Sequence, residues 1–253
     1  MYFRFVQNIY QQLRSLKSEG KKALAVLLDP DKLTDEGRLS NVLSLIAHSE
    51  VDFVFVGGSL LVETNFQHCI QRIKRDCNKP VVIFPGSPSQ VSEHADAILF
   101  LSLISGRNAD LLIGQHVQAA PILKEMNIEV LPTGYMLIES GRSTTALYMS
   151  QTLPIPADKP EIAAATAMAG ELLGLKLFYL DGGSGAQFPV SSAMISAVSQ
   201  SINAPLIIGG GIRSEEEARK AWKAGAQVVV VGTAFEEEPE LLFALCNARP
   251  SEA

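Results

Sequence analysis

The sequence predicts a single (β/α)8 barrel spanning residues 1–253, and three observations predict it. Eight short runs rich in Val, Ile, Leu and Phe recur along the chain. They are apolar on both faces, as strands buried in a parallel sheet read. Helical segments separate most of them, the pattern of an α/β fold. The length of 253 residues is close to the ~250 typical of such barrels. An open doubly wound sheet is the alternative, and the count of eight favours closure.

In order, the runs are "ALAVLLDP", ending at Asp29-Pro30, "FVFVGGS", ending at Gly57-Gly58-Ser59, and "VVIFPGSP", ending near Pro85-Gly86-Ser87. Then come "AILFLSLISG", "EVLPTGYMLIES", "LKLFYLDGGSG", "PLIIGGG" and "VVVVGT". Helices are expected over 34–48, 161–173 and 191–202. Another is expected over 214–224, where Ser214 is a cap, glutamates fill the first turn and Gly225 is the stop. Only about ten residues separate "VVIFP" from "DAILFL", and a crossover with its helix needs at least that many. The third helix is therefore expected to be reduced or absent. The segment 139–159, bounded by Pro160 and carrying Pro154 and Pro156, reads as an irregular loop over the barrel mouth, a candidate lid.

Composition narrows the function. Apolar residues make up 47% and charged residues 19% of the chain, an ordinary globular balance. A net charge of -6 speaks against nucleic acid as a partner, because that footprint needs clustered Lys and Arg. It leaves room for a small anion in a local pocket. Three cysteines without metal-ligand spacing point to a reduced intracellular compartment. The opening residues lack a signal-peptide pattern, and no run is long enough to cross a bilayer. The expected location is cytoplasmic, without stable membrane insertion.

The strand ends carry the chemistry. All strand C-termini of a barrel meet at one face, where active sites lie, and phosphate often binds after strands seven and eight. Gly209–Gly211 and Gly232-Thr233 stand at those two ends. Glycine backbone lets an anion approach closely. Strand six ends in Asp181-Gly182-Gly183-Ser184-Gly185. Ser184 and its glycines can wrap a phosphate. Asp181 is a candidate general base for a substrate hydroxyl, with a helix cap as the other reading. At the opposite pole, Asp29 and Ser59 end strands one and two. A carboxylate with hydroxyl and water oxygens suits Mg²⁺, and a turn around Asp29-Pro30-Asp31 is the other reading.

At these motifs the sequence resembles the geranylgeranylglyceryl phosphate synthase family. "LLDPDK" (27–32), "VGGS" (56–59), "IFPGSPSQ" (83–90), "ILFLSLISGRNADLLIGQH" (98–116) and "LPTGYMLIESG" (131–141) carry the likeness. So do "YLDGGSGA" (179–186), "IIGGGIRS" (207–214) and "VVVGTAFEE" (229–237). Nearly the whole chain is covered, in the manner of the family's second group, found in archaea and some bacteria, and less that of the heptaprenyl-type branch.

The resemblance implies a Mg²⁺-dependent prenyltransferase. It would join a prenyl diphosphate, geranylgeranyl diphosphate by the family's name, to the 3-hydroxyl of sn-glycerol 1-phosphate. This would be the first ether bond of an ether phospholipid, with diphosphate released. It implies Asp29 and Ser59 as metal ligands. It implies Tyr179, Leu180, Asp181, Gly182, Gly183, Ser184 and Gly185 as the glycerol-phosphate segment. Gly210, Gly211, Gly232 and Thr233 would be phosphate-binding backbone, and a homo-oligomer, dimer or hexamer, is implied too. Asp181 falls where many members carry Glu, one methylene longer. Leu101, Leu103, Tyr135 and the Ala-rich stretch 163–169 are candidate walls of a prenyl groove, though small residues there also suit tight helix packing. The competing readings are another phosphate-handling barrel, an isomerase or lyase, and a barrel that binds a phosphorylated ligand without catalysis.

Overall fold

The computed structural model describes residues 8–62 and 65–250. Residues 1–7 of the opening segment, read above as lacking a signal peptide, lie outside the described residues. All eight predicted runs are strands: β1 (Ala23–Leu28), β2 (Phe53–Val56), β3 (Val81–Ile83), β4 (Ala97–Leu103), β5 (Glu129–Leu137), β6 (Leu177–Asp181), β7 (Leu206–Gly209) and β8 (Val228–Val231). Each pairs in parallel with the next, and β8 pairs back to β1, so the sheet closes. Closure removes both edges.

Side chains alternate along each strand between two cores. Ala25, Phe55, Leu99, Leu131, Tyr179, Ile207 and Val230 pack in the lumen. Val26, Val54, Ile98, Phe178, Leu180 and Ile208 pack outward beneath the helices. Burial on both faces is why the strands read as unbroken apolar runs.

Four predicted helices form within two residues of expectation. They are α2 (Glu36–His48), α6 (Pro160–Leu172), α7 (Ser192–Ser201) and α8 (Glu215–Ala224). In α8 the Ser214 side chain accepts from Glu217 N, and Gly225 ends the helix at φ +120°. Helices α3 (Phe66–Asp76) and α4 (Gln115–Glu125) fill the crossovers after β2 and β4. The sequence reading left out α1 (Ile9–Ser18), which closes the N-terminal end of the barrel: Ile9 and Leu13 join the lumen core. The Glu129 carboxylate satisfies two orphan donors of its first turn, Ile9 N at 2.6 Å and Tyr10 N at 3.2 Å.

No helix bridges β3 and β4. That loop is braced by buried Gln90, which accepts from Gly86 N and donates to Gly58 O. The candidate lid is more ordered than expected. It holds a short helix, α5 (Thr145–Ser150), capped by the Thr144 side chain, and Ile155 bridges to Ile138 beyond β5. Pro154 and Pro156 flank that bridge, so they bound an extended segment instead of abolishing order. After β8 come α9 (Thr233–Glu237) and α10 (Leu241–Ala248). No helix among the described residues is long and apolar enough to cross a membrane.

Candidate active site

A cavity of about 440 Å³ opens at the C-terminal ends of the strands. It brings together most of the residues singled out from the sequence. Asp29, Ser59, Tyr179, Asp181, Gly183, Ser184, Gly185, Gly210, Gly211, Gly232 and Thr233 all line it.

Two predicted residues do not. Leu180 sits between Tyr179 and Asp181, so strand alternation turns it outward into the helix-side core. Gly182 is absent from the wall, and its N–H continues the ladder to Gly209 O at 3.0 Å. Both belong to the segment's framework. The Ala-rich stretch is likewise relocated. Ala163 and Ala167 are fully buried in the outer core between α6 and the barrel, which is the tight-packing role of small residues.

On one side of the cavity, three loops present glycine backbone. Gly210 and Gly211 have φ of +80° and +76°, a region that suits glycine. They have no room for a side chain either: a Cβ on Gly210 would stand 2.7 Å from Gly182 N, and one on Gly211 2.9 Å from Phe188 O. Gly232 differs. Its φ is -125°, and a Cβ there would meet nothing nearer than Leu27 Cβ at 3.6 Å. The Ser184 and Thr233 hydroxyls lie 3.3 Å apart, joining the loop after β6 to the start of α9. Two cations on the cavity wall were given no role from the sequence, Lys32, noted only as a neighbour of Asp29, and Arg213. Arg213 donates to Ala186 O at 3.0 Å, and Lys32 pairs with Glu236 at 2.7 Å. Lys32 ends a single 3-10 turn and Arg213 lies in the loop before α8, positions that carry no periodic signal.

Asp181 ends β6 beside Leu137 of β5 and Gly209 of β7. It is 6% exposed. Oδ1 accepts from Gly183 N at 2.7 Å and Oδ2 from the Tyr135 hydroxyl at 2.6 Å. Burial raises the carboxyl pKa, and the two hydrogen bonds pull partly the other way. A raised proton affinity makes a better base. The helix-cap reading is not what the structure shows, since α7 takes its cap from Ser191. Tyr179 stacks on Phe84 with ring centres 5.0 Å apart, and Tyr135 meets both rings edge-on.

Asp29 heads a single turn of 3-10 helix, Pro30–Lys32, with Oδ1 accepting from Asp31 N at 3.1 Å. The turn is real, and it aims the carboxylate into the cavity. Burial raises this carboxyl's pKa, countered by the Asp31 N–H and Lys32 and reinforced by Glu236. A Cβ on Gly58 would lie 3.3 Å from Asp29 Oδ1, so the loop ending in Ser59 runs beside the carboxylate with little room for a side chain at Gly58. Among the described residues, no group of three or more His, Cys, Asp or Glu is placed to hold a metal. The two residues singled out from the sequence offer one carboxylate, Asp29, and one hydroxyl, Ser59. They suit Mg²⁺, which keeps several waters and takes its other oxygens from substrate phosphate.

The cavity also has an apolar limb. Leu101 and Leu103 line it, as expected, and so do Ile98, Phe100, His116, Ala119 and Leu123. Residues from both faces of β4 are thus exposed to one cavity. The absent helix between β3 and β4 explains how: it leaves the outer face of β4 uncovered on that side, and α4 forms the far wall. Sequence reasoning identified the gap but not its consequence.

A closed barrel whose last three strands end in glycine loops around one cavity defines the phosphate-binding class of these folds. Within that class the affiliation is specific. The PcrB family matches residues 17–248, and the chain belongs to that family. Geranylgeranylglyceryl phosphate synthase of Spirosoma linguale is 55% identical over 230 residues, covering 91% of this chain and 92% of that one. The Chitinophaga pinensis protein of the same name is 49% identical over 240 residues, covering 95% of each. Among solved structures, (S)-3-O-geranylgeranylglyceryl phosphate synthase from Thermoplasma acidophilum, in complex with its substrate sn-glycerol-1-phosphate, superposes with a TM-score of 0.87. It is 29% identical and covers 98% of this chain and 99% of that one. The family resemblance read from the motifs is borne out, and the enzyme class is prenyltransferase.

Proposed function

We propose that this chain joins a prenyl diphosphate, of geranylgeranyl length, to the 3-hydroxyl of sn-glycerol 1-phosphate. The reaction forms the first ether bond of an ether lipid and releases diphosphate. The observation that carries the reading is the continuity of one cavity. It runs from the glycine loops, past Asp181, into the apolar limb around β4. A barrel isomerase or lyase acting on a small phosphate would have no use for that limb. The glycerol-phosphate complex of the Thermoplasma acidophilum relative supports the polar half of the reading.

The residues divide the work. Backbone after β6, β7 and β8, with the Ser184 and Thr233 hydroxyls, holds the glycerol phosphate and so orients the attacking oxygen. Arg213 adds positive charge on that side. Asp181 is the base that ends protonated as the hydroxyl attacks. Asp29 and Ser59 would hold Mg²⁺ against the diphosphate, where it would neutralise charge on the leaving group. Leu101, Leu103, Phe100 and Leu123 shelter the chain from water. The product is amphiphilic, and the proposed setting is a cytoplasmic homo-oligomer; no helix among the described residues is long and apolar enough to cross a membrane.

Product analysis tests this directly. The chain is offered prenyl diphosphates from geranyl to heptaprenyl length with each glycerol phosphate enantiomer. Ether product with the sn-1 enantiomer and geranylgeranyl diphosphate is expected. Absence of diphosphate release with every pair would overturn the reading.

A further inference from the structure

Asp181 is placed oddly for a base that must reach a substrate. It is 6% exposed, and each of its oxygens is engaged, Oδ1 by Gly183 N and Oδ2 by Tyr135 Oη. Its side chain is also the shorter carboxylate. The tyrosine differs. Its ring is fixed by edge contacts with Phe84 and Tyr179, and although both residues line the cavity, the tyrosine is the less buried of the two. Because the phenol donates to Oδ2, its oxygen keeps lone pairs with which to accept. A group that gives a proton to the base and accepts one from the cavity side is wired as a bridge.

We propose that Tyr135 relays the proton from the glycerol hydroxyl to Asp181, a role that rests on the function proposed above. As the glycerol oxygen bonds to prenyl C1, the bond from C1 to the diphosphate oxygen breaks and its electron pair leaves with diphosphate. The hydroxyl proton passes to Tyr135 Oη while the phenolic proton passes to Asp181 Oδ2. Tyrosine ends neutral and Asp181 protonated, and Asp181 returns its proton to water after product leaves. The transfers are concerted, so no free tyrosinate is formed. This suits a phenol whose ionisation is strongly opposed by burial and by Asp181. The titratable groups against Asp181 are Tyr135 from β5 and Tyr179 from its own strand. Asp29, Lys32, Arg213 and Glu236 line the mouth around them.

The test is a pair of substitutions in the full chain. Tyr135→Phe keeps the ring contacts and removes the bridge. In the parent background kcat should fall by about 10²-fold, with KM for glycerol phosphate within a few-fold. In an Asp181→Glu background the longer carboxylate reaches the hydroxyl itself, so Tyr135→Phe should cost only a few-fold. An equal loss in both backgrounds, or a small loss in the parent, overturns the relay. A solvent-isotope proton inventory on the unaltered protein gives a second reading: a curved plot is expected for two protons in flight, and a linear one overturns the relay. Carbon-13 NMR of the Asp181 carboxyl, without substrate, checks the coupling independently of the proposed reaction. Tyr135→Phe should move its pKa upward, because the phenol stabilises the carboxylate. An unmoved titration overturns the relay, whereas absent product with an upward shift counts against the proposed function alone.

Discussion

The hydroxyls of Ser184 and Thr233 stand 3.3 Å apart, linking the loops that end β6 and β8 across the mouth of the barrel. Each can rotate to face an anion between them. Thr233→Val keeps the shape and removes one such donor. A neutral hydrogen bond contributes about 1 kcal/mol, so glycerol phosphate should bind roughly fivefold more weakly. Prenyl diphosphate affinity should be unchanged. Titration calorimetry with each ligand decides, and a parallel loss for both would remove Thr233 from the phosphate side.

The glycines of the cradle should split into two kinds. Gly211→Ala forces a Cβ against Phe188 O at 2.9 Å from a backbone with φ +76°. It should lower the melting temperature measurably. Gly232→Ala meets only ordinary contacts, so stability should hold. If phosphate sits against Gly232, that variant should still lose glycerol-phosphate affinity by tenfold or more. Melting curves beside calorimetry separate the two effects; a Gly232→Ala protein that binds normally would place the phosphate elsewhere.

Asp181→Asn should lower turnover by roughly 10²–10⁴-fold while stability rises. The sign follows from the raised pKa. The folded state holds the proton more tightly than the unfolded chain, so stability is lost as pH rises from the unfolded value near 3.8 through the folded one. Above that window the buried charge is a standing cost, which Asn removes while still able to accept from Gly183 N. Melts at pH 4 and pH 7.5 should show the variant's advantage only at the higher pH. An advantage over the parent that is equal at both values would contradict the raised carboxyl pKa.

Asp29→Asn keeps a side-chain oxygen for Asp31 N, so folding should be unaffected. Divalent-ion affinity in the presence of prenyl diphosphate should drop by at least tenfold. Manganese binding followed by electron paramagnetic resonance reads this without turnover. Unchanged affinity would move the ion away from the end of β1.

The sequence by itself determined eight buried parallel strands, because strands buried on both faces must be apolar throughout, and their count favoured a closed barrel over an open sheet. "ALAVLL", "FVFV" and "VVVV" admit little else. Local chemistry was equally legible where it is local: Ser214 caps α8 because its own neighbours supply the donor. The glycine-ended strands and Asp181 were visible because a barrel gathers all its strand ends at one face.

What the tertiary structure alone decided are relations between distant segments. Nothing near Ile9 says that it will plug the barrel floor beneath Glu129. Tyr135 reads as one more apolar wall until the register of β5 on β6 sets its hydroxyl on Asp181. The apolar limb exists because a helix is missing between β3 and β4, and an absence leaves no residue to read. Leu180 and the alanines of α6 match the chemistry a site would need, yet they face the other way. Residue types depend on burial, which repeats along a strand, whereas partnership depends on closure, which brings together positions that no local pattern connects.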